Sequence, residues 1–230
     1  MRIVYAMTRN LYPCFHPTLR SLMEHNDPER VYIMAEDDDL PYPLPDACRV
    51  VNVTDWRRIL SPSSPNKRSI FTYMAMLRAA YTEIFPDDDK LLQLDIDTII
   101  CDDLNPLWDT DLTGKWFGAV REWEGHYRPF GTPQYYNVGV CLYNLAELRK
   151  DGVTEQVLNL INTVFYNCTE QDAFNALAVP AGKVVDLPVR FNESFCCGRT
   201  DNPAIVHYAG YSDWWTRKDM PRREYLEKYL

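Results

Sequence analysis

No stretch of this sequence approaches the roughly 18 consecutive apolar residues that a membrane-spanning helix needs. None of its seven cysteines stands in a CxxC pair, and an odd number without that spacing excludes a zinc ribbon and argues against a disulfide framework. A basic surface is missing as well. The net charge of −9 speaks against non-specific binding to nucleic acid, so no nucleic-acid partner is expected. No Gly-rich phosphate loop follows the first apolar segment, where Met7-Thr8-Arg9-Asn10 stands instead, which disfavours a nucleotidyltransferase. Internal repeats, linkers and low-complexity tracts are absent too, which predicts one domain over residues 1–230. The opening Met1-Arg2-Ile3-Val4-Tyr5-Ala6 is too short an apolar run for a signal peptide, so a cytoplasmic protein with reduced thiols is expected. Sequons at Asn52, Asn167 and Asn192 then carry little meaning.

What is present is concentrated in Leu91-Leu92-Gln93-Leu94-Asp95-Ile96-Asp97-Thr98-Ile99-Ile100. Read as one extended strand, this run places Asp95 and Asp97 on the same side, because strand side chains alternate with period 2. Two hard oxygen ligands in that arrangement suit Mg²⁺ or Mn²⁺, ions that bind substrate phosphates while held by one or two carboxylates. An isolated DxD is equally compatible with a solvated strand end, so its surroundings decide.

Those surroundings alternate strand and helix. Strands are predicted at Arg2–Thr8, Val31–Ala35 and Arg49–Val53, and a helix over about Thr18–Glu24. A long helix is predicted over Ser69–Ile84, with Ile70, Tyr73, Met74, Leu77 and Tyr81 at core spacing. The order implies an α/β domain with a mostly parallel central sheet flanked by helices, which binds ligands beyond the carboxyl ends of its strands. Further on, Trp116–Arg121 and Tyr136–Tyr143 read as buried strands, and Glu122–Pro133 as an irregular stretch lining a cleft. Helices are expected at Leu145–Lys150, Thr154–Phe165 and Glu170–Leu177, the last capped by Thr169, and a strand at Ala204–His207.

Four of these pieces resemble, in order and spacing, the motifs of the family 8 glycosyltransferases, of the glycogenin and lipopolysaccharide galactosyltransferase type. Asp95-Ile96-Asp97 resembles the family's DxD, and Tyr136-Asn137-Val138-Gly139-Val140 its FNAGV-like strand. Glu170-Gln171-Asp172-Ala173-Phe174-Asn175 resembles its DQDxxN helix start, and His207-Tyr208-Ala209-Gly210 its HYxG element. Arg78, 17 residues before Asp95, falls where the family carries an arginine near the nucleotide sugar. The likeness spans Ile3 to about Trp215 and implies a GT-A fold of Rossmann-like form.

It also implies a retaining hexosyl transfer from a nucleotide-diphosphate sugar, expected to be UDP-glucose or UDP-galactose, to an acceptor hydroxyl. Asp95, Asp97 and His207 would bind Mn²⁺, with Mg²⁺ the alternative. Ala6, Thr8, Asn10, Tyr12, Arg78, Asp95, Ile96, Asn137 and Gly210 would hold the donor. Glu170, Gln171 and Asp172 would form the catalytic set, in a front-face mechanism where the leaving phosphate accepts the acceptor's proton. The chain departs from the family at Thr8, where an acid is usual, and at Glu170, where aspartate is usual. It departs again at Asp213, three residues after Gly210, where a diphosphate-binding lysine is usual; Arg217 or Lys218 is expected to replace it.

Two other readings compete. Leu91–Ile99 also fits the nucleophile strand of haloacid-dehalogenase-like, Mg²⁺-dependent phosphatases, but some 90 residues precede it and a late GDxxxD-like motif is missing. A nucleotide-sugar-binding protein without catalysis is the other. The acceptor stays open among glycans, lipid-linked saccharides and proteins. Residues 214–230 mix basic and aromatic side chains; their net +2 leaves −11 for the remainder. Such a segment could rest on the inner face of an anionic membrane, or pack on the sheet as an ordinary helix.

Overall fold

The computed structural model describes residues 1–123 and 134–230. Most of the stretch expected to line a cleft, residues 124–133, therefore lies outside the described residues, as does His126. Among the described residues, seven strands form one sheet in the order β3-β2-β1-β4-β7-β6-β8. They are β1 (Arg2–Ala6), β2 (Arg30–Ala35), β3 (Cys48–Asn52), β4 (Lys90–Leu94), β6 (Phe117–Arg121), β7 (Tyr136–Asn144) and β8 (Val184–Asp186). Pairing is parallel throughout except along β7, which runs against both β4 and β6. A second, two-stranded ribbon joins β5 (Thr98–Ile100) to β9 (Ile205–His207). The central sheet is mostly parallel with helices on both faces, as expected.

Period-2 alternation divides the core between the two faces. On one face Ile3, Tyr5, Leu92 and Leu94 pack with Phe15, Leu19 and Leu22 of α1 (Tyr12–His25) and with both ribbon strands. On the other, Val4, Leu91, Cys141 and Tyr143 pack with α2 (Tyr73–Met76), α3 (Tyr81–Ile84), α5 (Leu145–Lys150), α6 (Val153–Thr163) and α7 (Thr169–Ala178). The short α4 (Asn105–Trp108) follows β5. Burying apolar side chains on both faces at about 25 cal/mol per Å² is what holds the layers together.

Four expectations need correction. The helix over Ser69–Ile84 is broken: α2 gives way to a 3₁₀ turn over Leu77–Ala80, and Ile70 is 91% exposed on the loop before it. Helix α1 starts at Tyr12, well before Thr18, because Pro13 sits in its first turn, where a missing N–H costs nothing. Thr169 does not cap α7; it lies inside the helix at φ 44° and donates its hydroxyl to Glu170 Oε2 at 2.5 Å. The DxD is not strand. Strand β4 ends at Leu94, and Asp95-Ile96-Asp97 form a turn leading into β5.

Among the described residues no helix is long and apolar enough to cross a membrane. The C-terminal segment folds back, with Trp214, Met220, Leu226 and Tyr229 buried in the α1-side core around α8 (Arg223–Glu227). Those four side chains are committed inward, and Arg217, Arg222 and Arg223 pair with Asp219, Glu193 and Glu227. All seven cysteines are free thiols, five of them buried, including Cys196 and Cys197.

Candidate active site

The site is built where β4 stops and β7 bulges. Register between β6 and β7 slips after Ala119, so Cys141 pairs with Ala119 and Asn137 with Val120. The intervening Val138–Val140 segment swings toward β4, a common use of bulges beside functional groups. There Gly139 O accepts from Asp95 N–H at 2.7 Å. The turn itself is pinned from several sides. Asp95 O accepts from the Thr98 hydroxyl, Ile96 O from the buried Thr18 hydroxyl of α1, and Asp97 O from Tyr208 N–H. Pairing of Thr98 with His207 across the ribbon completes the geometry.

Asp95, Asp97 and His207 therefore converge, their ligand atoms lying within 4.8 Å of one another. His207 Nε2 is 3.3 Å from Asp97 Oδ1 and 3.8 Å from Asp95 Oδ2. The imidazole is sealed in, whereas both carboxylates remain partly open to solvent. Two carboxylate oxygens and one imidazole nitrogen on one side of a cleft fit a divalent cation with coordination positions left for substrate oxygens. Without a cation, burial pushes the Asp95 carboxyl up, Arg78 opposes this, and Asp97 reinforces it. Burial lowers the His207 imidazole, but the two aspartates outweigh it and raise it.

Arg78 is the buried cation of the site. Its guanidinium bridges Asp95 Oδ1 and Glu170 Oε1, and the two carboxylates keep it charged despite burial. Asp95 Oδ1 also accepts from Gln93 Nε2 at 2.9 Å, which leaves Oδ2 facing the histidine. Glu170 is almost wholly buried between Arg78 and the Thr169 hydroxyl. Gln171 accepts from Val138 N–H at 2.9 Å and donates to Tyr135 Oη at 2.9 Å and Glu122 Oε1 at 3.4 Å. Asp172 points away, accepting from Tyr135 Oη–H and Cys168 N–H. Burial raises its carboxyl, and the Tyr135 hydrogen bond holds it back. Asn137 donates to Glu122 Oε1 at 3.1 Å.

The expected nucleoside end is looser. Ala6 closes β1, and the Thr8 hydroxyl donates to Asn10 Oδ1 at 2.6 Å. Tyr12 is buried, its hydroxyl donating to Asp37 Oδ2 and accepting from Glu36 N–H, so it anchors the acidic turn after β2. Gly210 adopts φ 80° with Phe195 against it, a conformation that favours glycine. Arg217 pairs with Asp219 and lies over the Tyr211 ring, while Lys218 is exposed.

Several contributors escaped the sequence reading: Gln93, Glu122, Tyr135, Thr169 and Asn192. Gln93 carried a signal. It is the one amide in an apolar run, two residues before Asp95 and hence on the same face. The others sit beside the site only through tertiary contacts. Gly139, read merely as part of a motif, proves to be a steric necessity. A Cβ there would collide with His207 Cε1 and lie 2.8 Å from Asp95 Oδ2 and 3.0 Å from Asn137 Oδ1. Gly139→Ala is expected to weaken divalent-cation binding by at least about tenfold, by analogy with losses of ligand-orienting groups. Isothermal titration would measure it, and an unaltered Kd would refute the steric account.

The sequence comparisons show a family, and the structure comparisons bear on the fold. The profile described as glycosyl transferase family 8 matches residues 44–219. General stress protein A of Bacillus subtilis is 26% identical over 190 residues, covering 70% of this chain and 65% of that protein. Glycosyltransferase GlyA of Streptococcus pneumoniae is 26% identical over 179 residues, covering 74% of this chain and 25% of that protein. The chain thus spans less than two thirds of the length of these curated relatives. Among solved structures, the galactosyltransferase LgtC in complex with donor and acceptor sugar analogues superposes with TM-score 0.77 at 24% identity, covering 100% of this chain and 95% of that one. The apo bifunctional glycosyltransferase WbbM gives 0.78 at 16% identity, covering 100% and 49%. At such identities the superpositions establish the fold.

Proposed function

The chain belongs to glycosyl transferase family 8, and on that premise we propose that it is a retaining, Mn²⁺-dependent hexosyltransferase using a UDP-sugar donor, UDP-glucose or UDP-galactose. The observation that carries the reading is the meeting of Asp95, Asp97 and His207 within 4.8 Å, beside Arg78, Asn137 and Gln171. Mixed oxygen and imidazole ligation favours Mn²⁺ over Mg²⁺. When bound, the cation neutralises the diphosphate leaving group. Arg78 fixes which oxygen of Asp95 faces the cation. Asn137 and Gln171, joined through Glu122, brace the sugar. Ala6, Thr8, Asn10 and Tyr12 lie at the nucleoside end, Ile96 lines the turn, and Gly210 lets the chain pass close to the diphosphate.

Glu170 supports the front-face route over double displacement. A carboxylate clamped by Arg78 and a threonine hydroxyl is a poor nucleophile, because both partners stabilise its negative charge. The acceptor's proton then passes to the leaving phosphate. The family match and the three strands that precede β4 in the chain weigh against the phosphatase reading, whose motif opens its domain.

A donor panel with and without Mn²⁺ tests the proposal. UDP-glucose or UDP-galactose at a hundredfold excess over Kd should stabilise the protein by about 2.7 kcal/mol, or ~5–10 °C, only with metal present, and be hydrolysed slowly. Stabilisation without hydrolysis would mark a binding protein; no response to any UDP-sugar would reject the proposal. For the missing lysine, the double variant Arg217→Ala/Lys218→Ala is expected to raise the donor KM by roughly tenfold, the worth of a lost charge-assisted contact. Steady-state kinetics that leave KM unchanged would exclude both residues.

A further inference from the structure

Asn192 lies outside the four family-like motifs and is fully buried, one residue past a short 3₁₀ turn over Val189–Phe191. As the asparagine of a sequon it is inaccessible to modification in this fold. Its Oδ1 lies 2.8 Å from His207 Nδ1, and its Nδ2 lies 2.9 Å from Asn137 Oδ1. We infer that Asn192 is a positioning residue that fixes the tautomer and orientation of His207 and couples the cation site to the sugar site, an inference that rests on the proposed metal-dependent transfer.

The argument follows from the direction of hydrogen bonds. A backbone N–H can only donate, and Gly139 N–H points at Asn137 Oδ1 at 3.0 Å. That identifies the Asn137 atom as the carbonyl oxygen, and its amide nitrogen accordingly donates to the Glu122 carboxylate. Asn192 must then present its NH₂ group to Asn137, which turns its own carbonyl oxygen toward His207. A carbonyl oxygen accepts only, so Nδ1 of His207 carries the proton. In the neutral imidazole, the form a metal ligand requires, Nε2 is then left with its lone pair aimed between Asp95 and Asp97. The Gly139 backbone amide, whose polarity cannot change, thus sets the tautomer through the side chains of Asn137 and Asn192. The same chain continues from Glu122 to Gln171, so a displacement of His207 is transmitted to the residues proposed to brace the sugar.

Two variants separate the two roles. Asn192→Ala removes the acceptor for Nδ1–H and is expected to raise the Kd for Mn²⁺ alone by 10–100-fold, the range for loss of a ligand's hydrogen-bond partner. Asn192→Asp keeps that acceptor but sets a carboxylate oxygen against Asn137 Oδ1. It is expected to retain Mn²⁺ affinity within about threefold while lowering kcat on the donor sugar by at least tenfold. Mn²⁺ titration of the folded proteins decides: an Asn192→Ala Kd equal to that of the native chain overturns the inference. If Asn192→Ala does not fold, nitrogen NMR of the native protein loaded with diamagnetic Zn²⁺ decides instead. A proton on His207 Nδ1 supports the inference and a proton on Nε2 overturns it. Absence of Mn²⁺ binding by the native protein would reject the metal reading itself, a distinct result.

Discussion

Asp97→Asn is expected to lower Mn²⁺-dependent turnover of the donor by on the order of 10³-fold while leaving the protein at least as stable as before. The loss follows from the ligand set. Among the described residues three protein groups converge, and replacing one anionic ligand by a neutral amide weakens both cation binding and charge stabilisation of the departing diphosphate. The stability gain has the opposite origin. Asp97 and Asp95 repel each other in a partly desolvated cleft, and the Asp95 carboxyl is held above its usual range partly for that reason. Removing one charge relieves that repulsion, a trade between stability and function common at active sites. Turnover at saturating Mn²⁺ together with a melting curve tests both halves. Retained turnover would dismiss Asp97 as a ligand, and a marked drop in melting temperature would show that the aspartate is structural.

Arg78→Met is expected to do the reverse, damaging stability as well as activity. Arg78 is buried and neutralises two carboxylates, Asp95 and Glu170, the second of which has almost no solvent access. Removing one partner of a buried ion pair costs about 3–5 kcal/mol, because the remaining charge is stranded. In a chain of this length that corresponds to a fall of ~6–20 °C in melting temperature. The double variant Arg78→Met/Glu170→Gln should recover a substantial part of the loss, since it removes the stranded charge. Arg78→Lys should remain defective, because a single ammonium cannot span two carboxylates held in a fixed fork geometry. Additive losses in the double variant, measured by thermal melts, would contradict the bridging role.

How much of this was legible depends on the kind of signal. Asp95 and Asp97 stood out because three leucines and an amide precede them, yet the reason first given for their convergence was wrong. A turn brings them together, not strand alternation, and it is held by Thr18, Thr98 and Gly139 from three separate elements. The helical periodicity of Ser69–Ile84 correctly marked Met74, Leu77 and Tyr81 as core. It could not reveal that the helix tightens into a 3₁₀ turn over Leu77–Ala80, the turn that carries Arg78 to its two carboxylates. Ile70 matched the same period and is exposed, because the helix has not begun there.

The sequence by itself determined the layered α/β fold, the family, and the three residues that converge as a candidate cation site. The fold follows from local periodicity, whereas the family and the third of these residues, His207, follow from the resemblance of four motifs to those of family 8. Only the tertiary structure decided which oxygen of Asp95 faces His207, that Glu170 is clamped, and that Asn192 sets the imidazole's tautomer. Each of these depends on the direction of a hydrogen bond between residues as distant as Asn137 and Asn192, and direction is a property of folded geometry that no spacing in the sequence encodes.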